Sequence, residues 1–284
     1  MRWTGRRQSG NVDDQRGKSG GGFPGGLLTG GGLGTLAIIL ILGWLTGTNP
    51  LALLQQVDLS TGGAQEQPVA ATPEEEQRAQ FIRVVLADTE DVWHTLMPDY
   101  RDPTLVLFTS QVQSACGQAS ASSGPFYCSE DERVYIDLSF YDDLSNQLDA
   151  PGDFAQAYVI AHEVGHHVQH ILGITDKIHE MKSQVSEEEY NRLSVKLELQ
   201  ADFLAGVWAH HANQMKNILE PGDIEEALNA ASQIGDDRLQ RKFQGTVVPD
   251  SFTHGSSEQR VMWFRKGYET GDTQQGDTFS ADIL

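Results

Sequence analysis

Three residues, His162, Glu163 and His166, have the types and the spacing that suit metal-assisted hydrolysis. Residues four apart lie on the same face of a helix, so the two imidazoles can bind one ion. Glu163 is rotated by about one hundred degrees from His162, beside the metal rather than on it. From there its carboxylate can take a proton from a zinc-bound water and deliver it to a leaving amine. The triplet therefore predicts a hydrolytic zinc site with Glu163 as the general base.

The triplet lies within residues 153–173, a segment whose ends and spacing favour a helix. Asp153 can cap its N terminus, Gly173 can take the left-handed position beyond its end, and apolar residues recur every three or four positions. The alternative is a histidine-rich helix with its imidazoles satisfied at the surface, because His167 and His170 follow. The helical frame and the absence of other charges around the triplet favour the metal site.

A third protein ligand must come from another part of the chain. Gln169 and Leu172 occupy the positions where a metzincin has glycine and histidine, which excludes that class. A capping box opens a predicted helix over residues 186–214, and Glu198 and Asp202 share one of its faces. Glu198 can bind zinc while Asp202 holds a histidine ligand by its free ring N–H. The alternative for Glu198 is a solvated acid, but the apolar residues around it would make an unpaired carboxylate costly.

Residues 251–261 supply the last candidates, where a serine cap opens a further predicted helix. His254 and Arg260 could each donate a hydrogen bond to the oxyanion that forms during peptide attack, so His254 is predicted to be catalytic. The alternative is a loop histidine and a structural arginine. His210 and His211 lie on other turns of the preceding long helix and are expected to be ordinary helix residues.

The N-terminal part of the chain is predicted to anchor the protein. Residues 19–57 contain no charged residue, and residues 33–47 are the apolar core of this stretch. Extension back to residue 27 gives 21 residues, enough for a helix to cross a hydrocarbon core of roughly 30 Å. We therefore predict a single transmembrane segment over 27–47, a disordered cytoplasmic tip over 1–32 and a linker over 48–71.

The charges and the two cysteines predict where the remaining domain lies. Residues 1–18 carry five basic and two acidic side chains, whereas the rest of the chain has a net charge of −23. The basic tip would stay in the cytoplasm and send residues 72–284 across a bacterial inner membrane. Cys116 and Cys128 are expected to form a disulfide in the oxidising compartment there, with two reduced thiols in a cytosolic protein as the alternative. A cleaved signal peptide is the alternative to the anchor, although no small-x-small cleavage site follows closely.

Composition and residue pattern predict one α+β domain dominated by helix. With 284 residues, of which 39% are hydrophobic, the chain can form one medium domain with additional segments. A helix is expected over 72–97, short strands over 104–109 and 133–140, and helices after residue 153. The strongly acidic balance repels phosphate backbones, which excludes nucleic acid as a partner of the main domain.

The chain resembles the bacterial putative neutral zinc metallopeptidase family over its whole length. The segments that carry the resemblance are residues 1–7, 11–12, 124–128, 134–138, 161–169, 198–202 and 253–255. The resemblance implies a membrane-anchored relative of the zincins that have a glutamate ligand. It also implies zinc bound by His162, His166 and Glu198, with Glu163 catalytic.

Together these features predict an anchored zinc peptidase that faces the bacterial periplasm or the cell exterior. A peptide or protein substrate would bind extended along the edge of the small sheet, above the zinc helix. One alternative is a non-catalytic, zinc-stabilised envelope protein that scaffolds or recruits partners, although a structural site needs no base such as Glu163. Another alternative is a secreted soluble enzyme that lacks residues 1–47.

Overall fold

The computed structural model describes residues 1–17 and 71–280 of the chain. The helices in these ranges are α1 (Pro73–Leu96), α2 (Phe140–Asn146), α3 (Asp153–Ile171), α4 (Ile174–Met181), α5 (Glu187–Lys216), α6 (Asp223–Gln233), α7 (Asp236–Gln244) and α8 (Ser257–Thr270). The strands are β1 (Val12–Asp14), β2 (Thr104–Phe108), β3 (Gln111–Ser114), β4 (Gly117–Ser120), β5 (Phe126–Cys128) and β6 (Arg133–Asp137). Long helices thus accompany small sheets, which confirms the predicted helix-dominated α+β class.

The larger sheet has four strands in the order β1-β2-β6-β5. β1 is parallel to β2, and β2 is parallel to β6, whereas β5 is antiparallel to β6 and forms the last strand of the sheet. Successive residues of β6 face opposite sides, as their alternation predicts: Val134 and Ile136 join the main core, and Tyr135 joins a smaller cluster. β3 and β4 form a separate antiparallel pair.

Most helix ends follow the local sequence signals. Thr72 caps α1 and forms a capping box, and Ser186 caps α5. The predicted cap at Asp153 is wrong, because Gly152 occupies the cap position of α3. The Asp153 carboxylate instead accepts a hydrogen bond at 2.6 Å from the Met1 ammonium group, a full positive charge that attracts it more strongly than a backbone N–H.

The central helix, α3, is buried along most of its length because α1, α5 and α6 pack around it. Phe154, Tyr158 and Ile160 of this helix are fully buried. α5 in turn packs closely against α8, since a Cβ atom on Gly206 would lie only 2.1 Å from the carbonyl oxygen of Phe264. The two long helices that carry the predicted ligands are therefore held from several sides.

Residues 1–17 are folded, so the prediction of a disordered tip is wrong for this part of the chain. β1 extends the larger sheet, with Val12 paired to Leu105. Met1–Gly17 belongs to the same compact unit as the chain that follows Ala71. The N-terminal segment is thus an integral part of the domain rather than a separate tail.

Ion pairs with α1 explain why this polar segment is ordered. Arg6 Nη2 lies 2.6 Å from Asp88 Oδ1, and Arg7 Nη1 lies 2.9 Å from Glu90 Oε2. Asn11 Nδ2 donates a hydrogen bond to the second oxygen of Glu90 at 2.9 Å. The Asp88 and Glu90 side chains are only 2% and 6% exposed, and buried carboxylates are costly without partners. The polar composition of residues 1–17 favours disorder in isolation, but ion pairs and hydrogen bonds with residues about eighty positions further along the chain hold the segment in place.

The predicted transmembrane segment over 27–47 lies outside the described residues, as does nearly all of the predicted linker over 48–71. Within 1–17 and 71–280, no helix is long and apolar enough to cross a membrane. Strands β1 and β2 are hydrogen-bonded neighbours and must occupy the same compartment. A cytoplasmic tip combined with an external domain is therefore incompatible with this sheet.

We expect residues 1–17 to be essential for folding and residues 18–70 to be dispensable for it. Arg16 Nη1 donates to the carbonyl oxygen of Glu75 at 3.1 Å, so the chain leaves and rejoins the domain at neighbouring points. A variant with a short Gly/Ser linker in place of 18–70 should unfold cooperatively on heating, as followed by circular dichroism. Removal of 1–17 should abolish that transition, because β2 gains an open edge and buried carboxylates lose their partners. Equal thermal midpoints in the two variants would contradict this account.

Candidate metal centre

Gly165 sets the distance between the two helices that carry the predicted ligands. A Cβ atom at this position would lie 3.0 Å from the carbonyl oxygen of Ala201 and 3.4 Å from the Ala201 side chain. Small residues on both helices thus allow α3 and α5 to approach closely. His162 and His166 flank Gly165 on α3, and Glu198 lies about one turn before Ala201 on α5. The close contact therefore brings the three predicted ligands to one place.

The ligand atoms of these three residues converge. Nε2 of His162 lies 3.1 Å from Oε2 of Glu198, and Nε2 of His166 lies 3.4 Å from Oε1 of the same carboxylate. One ligand atom from each residue lies within 4.8 Å of the other two. Two imidazoles and one carboxylate are donors that zinc prefers, and three protein ligands leave the fourth position open, as in catalytic sites. The residues present therefore fit a zinc ion.

Asp202 lies directly behind His162, as the sequence predicts. Its Oδ1 is 2.9 Å from His162 Nδ1 and also accepts a hydrogen bond from the Tyr158 hydroxyl. Arg260 donates to both carboxylate oxygens, from Nε at 2.8 Å and from Nη2 at 3.0 Å. Asp202 is completely buried, so the arginine supplies the cation that its charge requires. This carboxylate fixes the ring of His162 and leaves Nε2 directed toward Glu198.

Arg260 lines the cleft, but most of its hydrogen-bond donors are committed to other groups rather than left for an oxyanion. Its Nε and Nη2 groups are committed to Asp202 and Tyr158, and Nη1 lies 3.4 Å from the carbonyl oxygen of Ile234. The side chain is 3% exposed. The structural role, which the sequence left open as the alternative, is the one that the contacts support.

Glu163 lies beside the ligand cluster and lines the same cleft as His162 and His166. Its side chain is buried, and its carboxylate has no hydrogen-bond partner within the part of the chain that the structure describes. A buried carboxylate that faces a cleft without a committed partner is free to bind a water molecule there. The position next to the ligands is the one that the helical spacing predicts for a general base.

His254 reaches the cleft from the loop before α8 and is held there by Asp236. Its Nδ1 lies 3.2 Å from Asp236 Oδ1. The second oxygen of Asp236 accepts hydrogen bonds from the backbone N–H groups of Thr253, His254 and Gly255, at 2.8, 2.6 and 3.0 Å. Gly255 has a φ of +92°, a conformation that favours glycine. Asp236 thus shapes the loop and leaves Nε2 of His254 as the ring nitrogen available to a ligand.

The cleft has a volume of about 530 Å³, and β5 with its preceding turn forms one wall. Phe126 and Tyr127 line this wall, and Thr175 of α4 and Leu197 of α5 also line the cleft. The predicted disulfide between Cys116 and Cys128 is present and joins the turn of the β3–β4 hairpin to the end of β5. The cross-link therefore stiffens the strand that borders the cleft.

Three other histidines of the two helices, His167, His210 and His211, contact groups outside the metal centre. His167 is fully buried, with Nδ1 2.9 Å from the Tyr127 hydroxyl and Nε2 2.6 Å from the carbonyl oxygen of Arg101. His210 and His211 contact the backbone carbonyl groups of the α8 C-terminal turn, which agrees with the expectation that they are ordinary helix residues.

A second group of acids, Asp153, Asp223 and Glu226, could also hold a cation. The Met1 ammonium nitrogen lies there, 3.4 Å from Asp223 Oδ1.

Sequence reasoning missed two polar residues that support the site, Gln169 and Asp236. Gln169 Oε1 lies 2.9 Å from Nδ1 of His166. The spacing of three residues on one helix could have identified this contact, because such residues are neighbours on the helix surface. No comparable local signal connects Asp236 to His254, since eighteen positions and a loop separate them.

The carboxylates change the acid–base behaviour of the ligand histidines. Burial alone would lower the pKa of His162, but the charges of Asp202 and Glu198 outweigh it and raise this pKa to about 10. Glu198 likewise raises the pKa of His166 against the effect of burial. The histidines in return hold the pKa of Glu198 well below its usual range. The centre therefore favours positive charge, either as protons or as a metal ion.

An α+β fold with two histidines and a glutamate at a helix crossing, next to an uncommitted glutamate in a cleft, defines the class of zinc hydrolases. The family described as "Putative neutral zinc metallopeptidase" matches residues 1–279, and the chain belongs to it. The match includes residues 1–17, in agreement with their place in the sheet.

Two relatives illustrate the spread of the family. The "Uncharacterized protein YpfJ" of Escherichia coli (strain K12) is 49% identical over 292 residues, which cover 100% of both chains. The "Uncharacterized protein Rv2575" of Mycobacterium tuberculosis (strain ATCC 25618 / H37Rv) is 40% identical over 256 residues, which cover 84% of this chain and 86% of the relative. No solved structure matches the chain.

We expect the stability of the metal-free protein to fall as the pH rises. The pKa of His162 is raised from 6.5 to about 10, so the stabilisation is complete below pH 6.5 and is lost as the pH approaches 10. Calorimetry should show a thermal midpoint that decreases over this range and depends less on pH in His162→Asn. Zinc should raise the midpoint most at the upper end, where fewer protons compete with it. A steeper pH dependence in His162→Asn than in the native chain would contradict the prediction.

Proposed function

We propose that this protein is a zinc-dependent peptidase that hydrolyses peptide bonds with Glu163 as the general base. The observation that carries the proposal is the convergence of His162, His166 and Glu198 at a cleft in which Glu163 stays uncommitted. A structural zinc site would be closed by a fourth protein ligand and would need no adjacent base. Membership of a family described as a putative neutral zinc metallopeptidase supports the same class of enzyme.

The roles follow from the positions of the side chains. His162, His166 and Glu198 would hold a zinc ion, which would supply a Lewis acid to polarise the scissile carbonyl and to lower the pKa of a water molecule toward about 7. Glu163 orients that water and accepts its proton while the water oxygen attacks the carbonyl carbon. Glu163 then donates the proton to the amine nitrogen as the C–N bond breaks. The Glu163 carboxylate is therefore charged before the attack, neutral once it has accepted the proton, and charged again after it has donated the proton to the amine.

His254 is the proposed donor to the carbonyl oxygen of the substrate. The hydrogen bond with Asp236 raises the pKa of His254, which favours the protonated imidazole needed for donation. The hydrogen bond with Asp236 also restricts the rotation of the ring. A donor that is oriented in advance stabilises the negative charge that develops on the oxygen during attack.

The edge of β5 is the proposed binding site for the substrate backbone. β5 is the last strand of its sheet, and Phe126 and Tyr127 line the cleft. An extended peptide can add to such an edge through main-chain hydrogen bonds, while its alternate side chains enter the cleft. This arrangement favours unfolded or extended segments over folded surfaces.

The protein is proposed to act outside the cytoplasm while attached to the membrane. The disulfide between Cys116 and Cys128 supports an oxidising compartment. Since residues 1–17 share a sheet with the rest of the domain, we place them in that compartment too, with the uncharged stretch over 19–57 as the membrane contact. Mass spectrometry of unreduced protein from cell envelopes tests this placement: a cross-linked peptide is expected, and free thiols in both cysteines would contradict it.

Glu163→Gln tests the enzymatic role directly. The amide cannot accept the proton, so kcat for cleavage of a fluorogenic peptide library should fall by about 10²–10⁴-fold. The zinc content should stay the same, because Glu163 is not a ligand. Glu188→Gln is the matched control, since Glu188 is an exposed glutamate on α5 that pairs with Arg192, and it should remain active. A native chain that binds zinc but shows no cleavage sensitive to Glu163→Gln would instead support a zinc-stabilised scaffold.

His254→Leu tests the proposed oxyanion donor, because leucine cannot donate a hydrogen bond. We expect kcat to fall by about 10²-fold, with KM and zinc content nearly unchanged, because the interaction strengthens in the transition state. His94→Leu is the control: His94 is also half exposed and paired with an aspartate, at 2.9 Å from Asp102, but it does not line the cleft. A larger effect on KM than on kcat would assign His254 to substrate binding instead.

A further inference from the structure

The two predicted histidine ligands are supported by different chemistry. Nδ1 of His162 faces the charged carboxylate of Asp202, whereas Nδ1 of His166 faces the neutral amide of Gln169. A carboxylate can only accept a hydrogen bond from a ring nitrogen. An amide can accept through its oxygen or donate through its nitrogen, so the amide fixes the histidine only if its own orientation is fixed.

The Gln169 amide belongs to a buried chain of hydrogen bonds that ends at two backbone carbonyl groups. Its Nε2 donates to the carbonyl oxygen of Leu197 at 2.7 Å and to Oε1 of Gln200 at 3.1 Å. Nε2 of Gln200 donates to the carbonyl oxygen of Gly276 at 2.8 Å. Gln169 is 0% exposed and Gln200 is 9% exposed, so a reversed amide would leave buried polar groups without partners.

The backbone carbonyl groups at the ends of this chain of hydrogen bonds determine which group donates and which accepts in each bond. A carbonyl oxygen accepts but never donates, so Gln200 must direct its nitrogen to Gly276 and its oxygen to Gln169. Gln169 must in turn direct its nitrogen to Gln200 and Leu197 and its oxygen to His166. The hydrogen of the neutral imidazole therefore lies on Nδ1, and the lone pair lies on Nε2, which faces Glu198.

The backbone at Gly276 is held against α5, which keeps the far end of this chain of hydrogen bonds in place. A Cβ atom on Gly276 would lie 2.5 Å from the ring of Phe203, so glycine permits the close approach. Two residues later, the Thr278 hydroxyl donates to the carbonyl oxygen of Lys196 at 2.6 Å. The segment that follows α8 thus acts as a fixed acceptor for Gln200 rather than a loose tail.

We propose that Gln169 and Gln200 are positioning residues that hold His166 in the tautomer with its hydrogen on Nδ1 and so present Nε2 to the metal. The inference rests on the proposed zinc site but not on peptide cleavage. It extends the support of the metal centre to the backbone at Gly276, more than one hundred positions from His166 in the sequence. Gln169 also links α3 to α5 at Leu197, directly beside the ligand Glu198.

Zinc affinity provides the first test. Gln169→Met keeps the length of the side chain but cannot accept a hydrogen bond from His166. In competition with a chelator, the full chain with this change should bind zinc about 10–100-fold more weakly, the usual effect of losing such a partner. Gln200→Met should weaken binding less, because Leu197 still orients Gln169. Gln240→Met is the control: Gln240 is 9% exposed, like Gln200, but it bonds Ser251 and Val248, so the zinc affinity of this variant should match that of the native chain.

A second readout needs no substitution. In ¹⁵N NMR spectra of the zinc-loaded native chain, Nδ1 of His166 should carry a proton that exchanges slowly with water, and this proton should exchange faster in Gln169→Met. A proton on Nε2 of His166, or native zinc affinity in Gln169→Met, would overturn the proposal. Either result would leave the dependence of cleavage on Glu163 intact, so the failure of this inference is distinguishable from the failure of the proposed function.

Discussion

The structure depends on two carboxylates, Glu198 and Asp202, one turn apart on α5 and facing α3: Asp202 is completely buried, and the Glu198 side chain is only 17% exposed. Buried carboxylates destabilise a fold unless cations or several hydrogen bonds compensate them. Asp202 has a permanent cation in Arg260. Within residues 1–17 and 71–280, Glu198 is paired with the two histidines, whose charge depends on protonation. A metal ion bound there would satisfy Glu198 without protons, so the constraint that shapes the helix crossing would also favour the zinc site that we propose.

The two predicted histidine ligands are held by different hydrogen-bond partners. His162 is fixed by a carboxylate whose charge is balanced by arginine, and His166 is fixed by neutral amides that end at backbone carbonyl groups. Only one of these two supports is charged, which limits the number of ions that must be buried. Glu163, between the two histidines in the sequence, is left without such a partner, so its chemistry is directed toward the cleft.

Local signals in the sequence predicted much of this arrangement. The helix spacing predicted that His162 and His166 share one face of α3 and that Glu198 and Asp202 share one face of α5, because these relations repeat within one turn. The order of residues 1–17, the role of Arg260 and the loop acceptor Asp236 could not be read in the same way. Each depends on a partner in a distant part of the chain. The sequence around a polar residue does not indicate which distant carboxylate or backbone group will form its hydrogen bond.

X-ray absorption at the zinc edge of the loaded full chain tests the central claim most directly. The account predicts one zinc ion per chain, bound by two imidazole nitrogens and one carboxylate oxygen, with a further oxygen from solvent, at about 2.0–2.2 Å. The imidazole signal should fall by half in His166→Ala. Four protein ligands, or a zinc environment that His166→Ala and Glu198→Ala leave unchanged, would contradict an open catalytic site at this helix crossing.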